Sequence, residues 1–264
     1  MNKYDIKKLI AYGTYSKVYL VKDKFNNNFI MKKLFNNDDN EFKNCELINR
    51  LNDINLLKYY EKTDNVIIYE FFNGEIFSNY FIKLSVEEFL IFLKSLVNTL
   101  INLENNGYYH FDIKEDNILI NKSKKIKLVD YGFLSKYTKN IKNIGSYGYL
   151  PPEYYKYDMI IPDKFDIFSL GIIIFKYFLN FNPFGKNKNY NLECWCWCKK
   201  NNCKRDDCLL DYLNNKLNKD SNEKNINIII DIIINTMAFD YKKRWDFKKL
   251  SKYLNNLITL NNIM

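Results

Sequence analysis

His110-Phe111-Asp112-Ile113-Lys114-Glu115-Asp116-Asn117 is followed, thirteen residues beyond Asn117, by Asp130-Tyr131-Gly132. The first stretch comes just after a long helix and the second just after a strand-like run at 125–129, so both sit at turns between regular elements. Ser85 and Glu88 open that helix with an S-x-x-E capping box, in which each side chain satisfies the other residue's backbone N–H. Phe89, Leu93, Leu96, Val97, Leu100 and Leu103 follow at helical spacing, and Gly107 ends the pattern.

Outward to the N-terminus the chain is strand-rich. Residues 18–21 are an apolar run, Asn26, Asn27 and Asn28 form a turn, and 29–34 is a second run. Together they read as a hairpin even without a turn glycine. Residues 38–51 are helical in period, with Phe42, Cys45, Ile48 and Leu51 at three-residue steps. Residues 66–72 form a short, continuous apolar strand, and toward the C-terminus helices at about 165–180, 226–237 and 247–260 dominate. The expected class is α+β: a small antiparallel-sheet lobe over about 1–72 carrying one long helix, then a larger, mainly helical lobe over about 75–264. Phe72-Asn73-Gly74 is the junction, and the 264 residues read as a single domain.

Apolar residues make up 47% of the chain, enough for a sizeable core. The chain carries 40 basic and 31 acidic residues, a formal charge of +9, which in general attracts anionic partners. The basic residues are nearly all Lys and never form a block of five like charges, so they read as a solvated surface. No groove pattern of interleaved aromatic and basic residues is visible, and nucleic acid is not an expected partner. The N-terminus has no apolar signal core. The longest apolar-dominated stretch, 167–181, is broken by Ser169 and Lys176 and falls short of the ~18 apolar residues of a membrane span. No membrane span is expected, and the cytoplasm is the expected location. The six Cys would there be reduced thiols or metal ligands, not disulfides.

The two opening stretches resemble the H-R-D-x-x-x-x-N catalytic loop and the D-F-G segment of eukaryotic-type serine/threonine protein kinases. That resemblance implies a two-lobed protein-kinase-like fold, ATP with Mg²⁺ or Mn²⁺ as cofactors, and protein substrates. It makes Asp112 the carboxylate that accepts the substrate hydroxyl proton and Lys114 the cation that reaches the transferred phosphoryl group. Asn117 and Asp130 supply the hard oxygen ligands that Mg²⁺ prefers. His110 is implied to brace the D-Y-G segment by packing and to take no part in the chemistry. Upstream, residues 11–18 resemble the glycine-rich phosphate loop, with Ala11, Gly13 and Val18 at its pattern positions, and Lys32, nineteen residues after Gly13, stands at the place of V-A-I-K. Glu70 and Phe72 would line the adenine site through backbone groups, and Tyr69 would leave only a small rear pocket.

Downstream, residues 145–153 resemble the G-T-x-x-Y-x-A-P-E segment that seats a peptide, with Ser146 and Glu153 in the Thr and Glu positions. Asp166 resembles the Asp of D-x-W-S-x-G, which anchors the catalytic loop from below. Asp240 and Arg244 resemble a late D-x-x-x-R, whose Arg pairs with the Glu of A-P-E. The resemblance runs from about residue 6 to 257, with six motifs in the family's order. Lys114 and Ser146 match the serine/threonine pattern over the tyrosine one. If the substrate groove shares the overall charge, acidic peptides are preferred.

Four departures stand out. Ile30 replaces the Ala that packs on adenine. Ala11 and Ser16 replace two phosphate-loop glycines, and their Cβ atoms restrict the loop. The glutamate partner of Lys32 falls, by the family's spacing, on Asn44; Glu41, one helical turn earlier on nearly the same face, is the candidate. Phe111 replaces the Arg that binds an activation-loop phosphate, so activity is expected not to require one at Ser135, Tyr137 or Thr138.

Cys194, Cys196, Cys198, Cys203 and Cys208 lie within fifteen residues, interleaved with Trp195 and Trp197. Four thiolates suffice for a structural Zn²⁺ site, but the spacing is not the usual paired C-x₂-C, and small buried hydrophobes are the competing reading. For the whole chain the competing reading is a pseudokinase that serves as a binding or scaffolding module. A kinase-fold enzyme acting on a small molecule or lipid is weighed against the peptide-seating resemblance of residues 146–153.

Overall fold

The computed structural model describes residues 3–36, 39–80, 84–136, 144–157, 159–183, 205–217 and 223–260. The strand-rich N-terminal part closes into a five-stranded antiparallel sheet of order β1-β2-β3-β5-β4. The expected hairpin is β2 (Ser16–Asp23) and β3 (Asn28–Leu34), in register with Val18 opposite Lys32 and Leu20 opposite Ile30. Its turn needs no glycine because Asn26 takes the left-handed conformation at φ 69°, which asparagine tolerates. Asp23 Oδ1 accepts the N–H groups of Phe25 and Asn27, each at 2.9 Å. The edge strand β1 (Tyr4–Tyr12) is exposed on both faces from Asp5 onward.

Helix α1 (Asp39–Leu51) lies against this sheet and buries Cys45, Leu47 and Ile48. β4 (Tyr59–Thr63) and β5 (Val66–Glu70) complete the sheet. Val66, Ile67, Ile68 and Tyr69 of β5 are all buried, as a continuous apolar run demands of an inner strand. The strand stops at Glu70, two residues before the expected end, where the chain leaves for the second lobe.

That lobe is mainly helical: α2 (Val86–Asn105), α3 (Pro152–Tyr157), α4 (Pro162–Leu179), α5 (Arg205–Leu217), α6 (Glu223–Thr236) and α7 (Phe247–Leu260). The capping box forms as read: Ser85 Oγ accepts the Glu88 N–H at 3.2 Å, and Glu88 accepts the Ser85 N–H at 2.9 Å. α4 is apolar on nearly every face and lies inside the lobe, with α6 packed on it, while α7 packs on α2. A Cβ on Gly171 would stand 2.6 Å from Met237 Cγ, so only glycine allows α4 and α6 to approach this closely. Stacked rings fill the core: Phe77 on Phe92 and Phe89 on Tyr177, both at 4.1 Å. Each such pair contributes about 0.5–1.5 kcal/mol beyond its buried area.

Short strands place the two diagnostic stretches. β6 (Glu75–Ile76), β8 (Ile118–Ile120) and β9 (Ile126–Leu128) form one small sheet, and β7 (Tyr108–Tyr109) pairs with β10 (Ser135–Lys136). Residues 110–117 therefore bridge β7 to β8, and 129–134 bridge β9 to β10, which sets them side by side. Among the described residues no helix is long and apolar enough to cross a membrane. Cys194, Cys196, Cys198 and Cys203 lie outside the described residues, as do Tyr137 and Thr138, and of Cys208 only the backbone, in α5, is described.

Candidate active site

Lys32 is carried by the middle strand β3, between β2 and β5, so its position is set by two neighbours. Its ammonium lies 2.6 Å from Glu41 on α1 and 2.9 Å from Asp130 after β9. Burial works to lower the Lys32 pKa, but Asp130 and Glu41 outweigh it and raise it, so the charge is secure. Asp130 is held below the usual carboxylate range because Lys32 overcomes the upward push of burial. Glu41 is raised, by burial that Lys32 only partly offsets. Of the two acidic residues on α1 weighed for this partnership, Glu41 meets Lys32, while Glu46 faces Lys62 at the surface. Asn44, where the family's spacing falls, instead donates to the carbonyl oxygens of Tyr131 and Leu134, each at 2.6 Å.

Asp112 is 4% exposed, and its two oxygens differ. Oδ2 accepts from Lys114 at 2.8 Å and from Asn117 at 3.0 Å. Oδ1 is buried and has no partner among the described residues. Asn117, in the 3₁₀ turn Glu115–Asn117, also donates to the Asp112 carbonyl at 2.8 Å, which leaves its own side-chain oxygen out of these bonds. Lys114 reaches Ser146 at 2.7 Å, joining residues 110–117 to the segment 145–153.

Both stretches hold strained backbone. Phe111 at φ 60° and Asp130 at φ 64° are non-glycine residues in the left-handed region, which costs roughly 1–2 kcal/mol each. Asp166, at the start of buried α4, secures the first turn by accepting the N–H groups of His110 at 2.7 Å and Phe111 at 2.8 Å. Burial pushes its pKa up to about 7 against those two donors. His110 is fully buried and lies edge-on to Tyr131, with ring centroids 6.3 Å apart. Burial lowers its pKa, and the neutral ring accepts the Asp112 N–H through Nδ1 at 3.3 Å.

In place of an arginine, Phe111 packs with Ile144, Leu150 and Phe165 into a separate apolar cluster beneath the segment that follows Asp130. Gly145, at φ 74°, closes over it; a Cβ there would stand 2.7 Å from the Phe111 carbonyl oxygen. Further along, Arg244 grips Glu153 through two nitrogens at 2.7 and 3.0 Å, with both side chains out of solvent. Its remaining donors go to the carbonyls of Ala238 and Lys164.

At the lobe junction, Tyr69 is buried, with its hydroxyl 3.3 Å from Glu41 and 3.0 Å from Cys45, so it fills the space behind the sheet. Ile30 is half-buried opposite Tyr69. Ala11 pairs with Val18 at the end of the β1–β2 hairpin, whose tip is closed by the Gly13 N–H to Ser16 O bond of 2.9 Å. Phe72 is half-buried at the junction.

Several contributors escaped the sequence reading. The Glu70 side chain turns behind the junction to Lys127 on β9, at 2.5 Å. The Tyr131 hydroxyl accepts the Leu57 N–H at 2.6 Å and lies 2.7 Å from the Leu128 carbonyl, bonds a phenylalanine would lack. Lys176 on α4 joins Glu115 at 2.7 Å and Tyr149 at 2.6 Å, and Tyr149 also bonds Glu115. A cation within the apolar stretch of α4 was the available signal, since a charge drawn away from water requires a partner.

A model of the protein kinase domain matches residues 4–254. The chain belongs to the protein kinase family. Over 118 residues it is 30% identical to the maternal embryonic leucine zipper kinase of Danio rerio, across 42% of this chain and 18% of that protein. Over 152 residues it is 29% identical to the skeletal/cardiac muscle myosin light chain kinase 2 of Rattus norvegicus, across 53% and 25% of the two chains. A probable serine/threonine-protein kinase of Dictyostelium discoideum is 29% identical over 192 residues, 62% of this kinase and 25% of that one. The matched part thus spans a quarter or less of each of these relatives.

Proposed function

We propose that this kinase transfers the ATP γ-phosphoryl group to Ser or Thr hydroxyls of protein substrates. The observation that carries the reading is the asymmetry of Asp112. One oxygen is fixed by Lys114 and Asn117, and the other is buried without a partner among the described residues. A buried, unpaired carboxylate oxygen is costly unless a donor arrives, and a substrate hydroxyl is such a donor. In this reading the hydroxyl oxygen attacks the γ-phosphorus, its proton passes to Asp112, and the bond to the β,γ-bridging oxygen breaks to release ADP.

The residues fit ATP and a divalent ion. Lys32, charged and pinned between Glu41 and Asp130, would hold the α- and β-phosphates. Asp130 keeps its side chain 45% exposed, and Asn117 offers an oxygen not used in its own bonds, so both can serve Mg²⁺. The bound ion would neutralise charge on the β- and γ-phosphates. Gly13 and the backbone near Ala11 and Val18 would cover them, and Glu70 and Phe72 would face adenine beside Ile30. The Lys114–Ser146 bond supports Ser/Thr over Tyr substrates. The +9 charge makes an acidic protein the first substrate to try.

The second reading, a scaffold without transfer, draws on Ile30, a half-buried side chain larger than the Ala that in the family packs on adenine. Thermal shift with Mg·ATP separates the two. A rise in melting temperature that requires Mg²⁺ and is lost in Asp130→Asn supports the enzyme, and no shift in the wild type would turn the assignment to the scaffold.

A further inference from the structure

We propose that Asn44 is a positioning residue for phosphoryl transfer: its amide ties α1 to the D-Y-G segment and so keeps Glu41 against Lys32. This rests on the kinase reading above. Asn44 is 4% exposed and lies three residues after Glu41, on the same side of α1. An amide nitrogen carries two hydrogens, and both are used, on the carbonyl oxygens of Tyr131 and Leu134 at 2.6 Å each. Glu41, Cys45, Glu46 and Asn49 bond Lys32, Tyr69, Lys62 and Tyr59, which all belong to the sheet. Asn44 instead reaches across to the segment that begins with Asp130.

That segment is fixed from its far side as well. The Tyr131 hydroxyl bonds the loop between α1 and β4 through Leu57 and reaches Leu128. Backbone 131–134 is therefore held between α1 and that loop, and any outward swing of α1 must break two short bonds to buried carbonyls. Withdrawing Glu41 from Lys32 requires that swing. The polar residue that stands where the family's spacing calls for glutamate thus does the complementary work: Glu41 orients Lys32, and Asn44 holds Glu41 in place.

The test compares Asn44→Leu, which keeps the branched shape and removes both donors, with Asn44→Asp, which can donate one hydrogen bond only when protonated. The titratable groups around this junction are Glu41, Cys45, Lys32, Tyr69, Asp130 and Tyr131, and they are common to all variants, so activity is read as a ratio to wild type. Asn44→Leu is expected to lower kcat at least tenfold with the peptide KM within twofold. The Asn44→Asp ratio is expected to climb as pH drops from 8.5 to 6, while the Asn44→Leu ratio stays flat. An Asn44→Leu enzyme with more than half the wild-type kcat, or an Asn44→Asp deficit indifferent to pH, overturns the proposal. Hydrogen exchange of residues 39–51 provides a readout that needs no turnover, with at least tenfold faster exchange in Asn44→Leu expected and unchanged exchange contradicting the tether. Wild-type protein that transfers no phosphate defeats the kinase reading itself, and exchange then decides the tether alone.

Discussion

Lys32 and Glu41 approach to 2.6 Å across the gap between β3 and α1, and the same ammonium meets Asp130 at 2.9 Å from the other lobe. One cation thus registers the sheet, the helix and the D-Y-G segment together. Lys32→Met is expected to lower kcat by about 10²-fold or more, the scale of losing one preorganised electrostatic contact. Glu41→Gln, which keeps the shape and loses the charge, should fall between that variant and wild type. Steady-state kinetics at saturating peptide measures both, and wild-type turnover by Lys32→Met would contradict the role.

Asp166 makes stability pH-dependent in a defined direction. Burial beneath the turn at residues 110–112 pushes its carboxyl up from 3.8 to about 7. Between those values the folded chain keeps a proton that the unfolded chain has released, so this group's contribution declines as pH rises from about 4 to 7. Asp166→Asn cannot titrate and should flatten that part of the curve. Urea midpoints at pH 5 and pH 7.5 for both proteins provide the comparison; equal pH slopes would count against the assignment.

Arg244 and Glu153 form a buried, two-pronged pair. Lysine cannot reproduce the fork, and breaking one side of a buried pair costs about 3–5 kcal/mol. Arg244→Lys should therefore melt roughly 10 °C lower, as calorimetry or dye-based melting can show.

The apolar cluster around Phe111 occupies the place of a phosphate-binding arginine. Replacing Ser135, Tyr137 and Thr138 together by alanine should leave kcat within about twofold, because a buried phenylalanine offers a phosphate no hydrogen bond. A tenfold or greater loss would show that a phosphate there matters.

Motif residues were legible where chemistry dictates side-chain type at fixed spacing, as with Asp112, Lys114, Asn117 and Asp130. The partner of Lys32 was harder to place. Counting along α1 lands on Asn44, and only the helical period, which sets residues three apart on one face, points back to Glu41. β1 left no burial pattern because both of its faces are exposed. The α+β class followed from long periodic segments, whereas α5 lacked such a signal. Glu70 with Lys127 and Glu115 with Lys176 are each separated by more than fifty residues, and pairings of that kind are set by the fold alone.

The most direct measurement is transfer of labelled γ-phosphate from Mg·ATP to an acidic protein by wild type beside Asp112→Asn. The account predicts label on Ser or Thr with wild type and a loss of about 10²-fold or more in the variant, as expected when a positioned general base is removed. Equal incorporation by the two proteins, or label on Tyr alone, would contradict it.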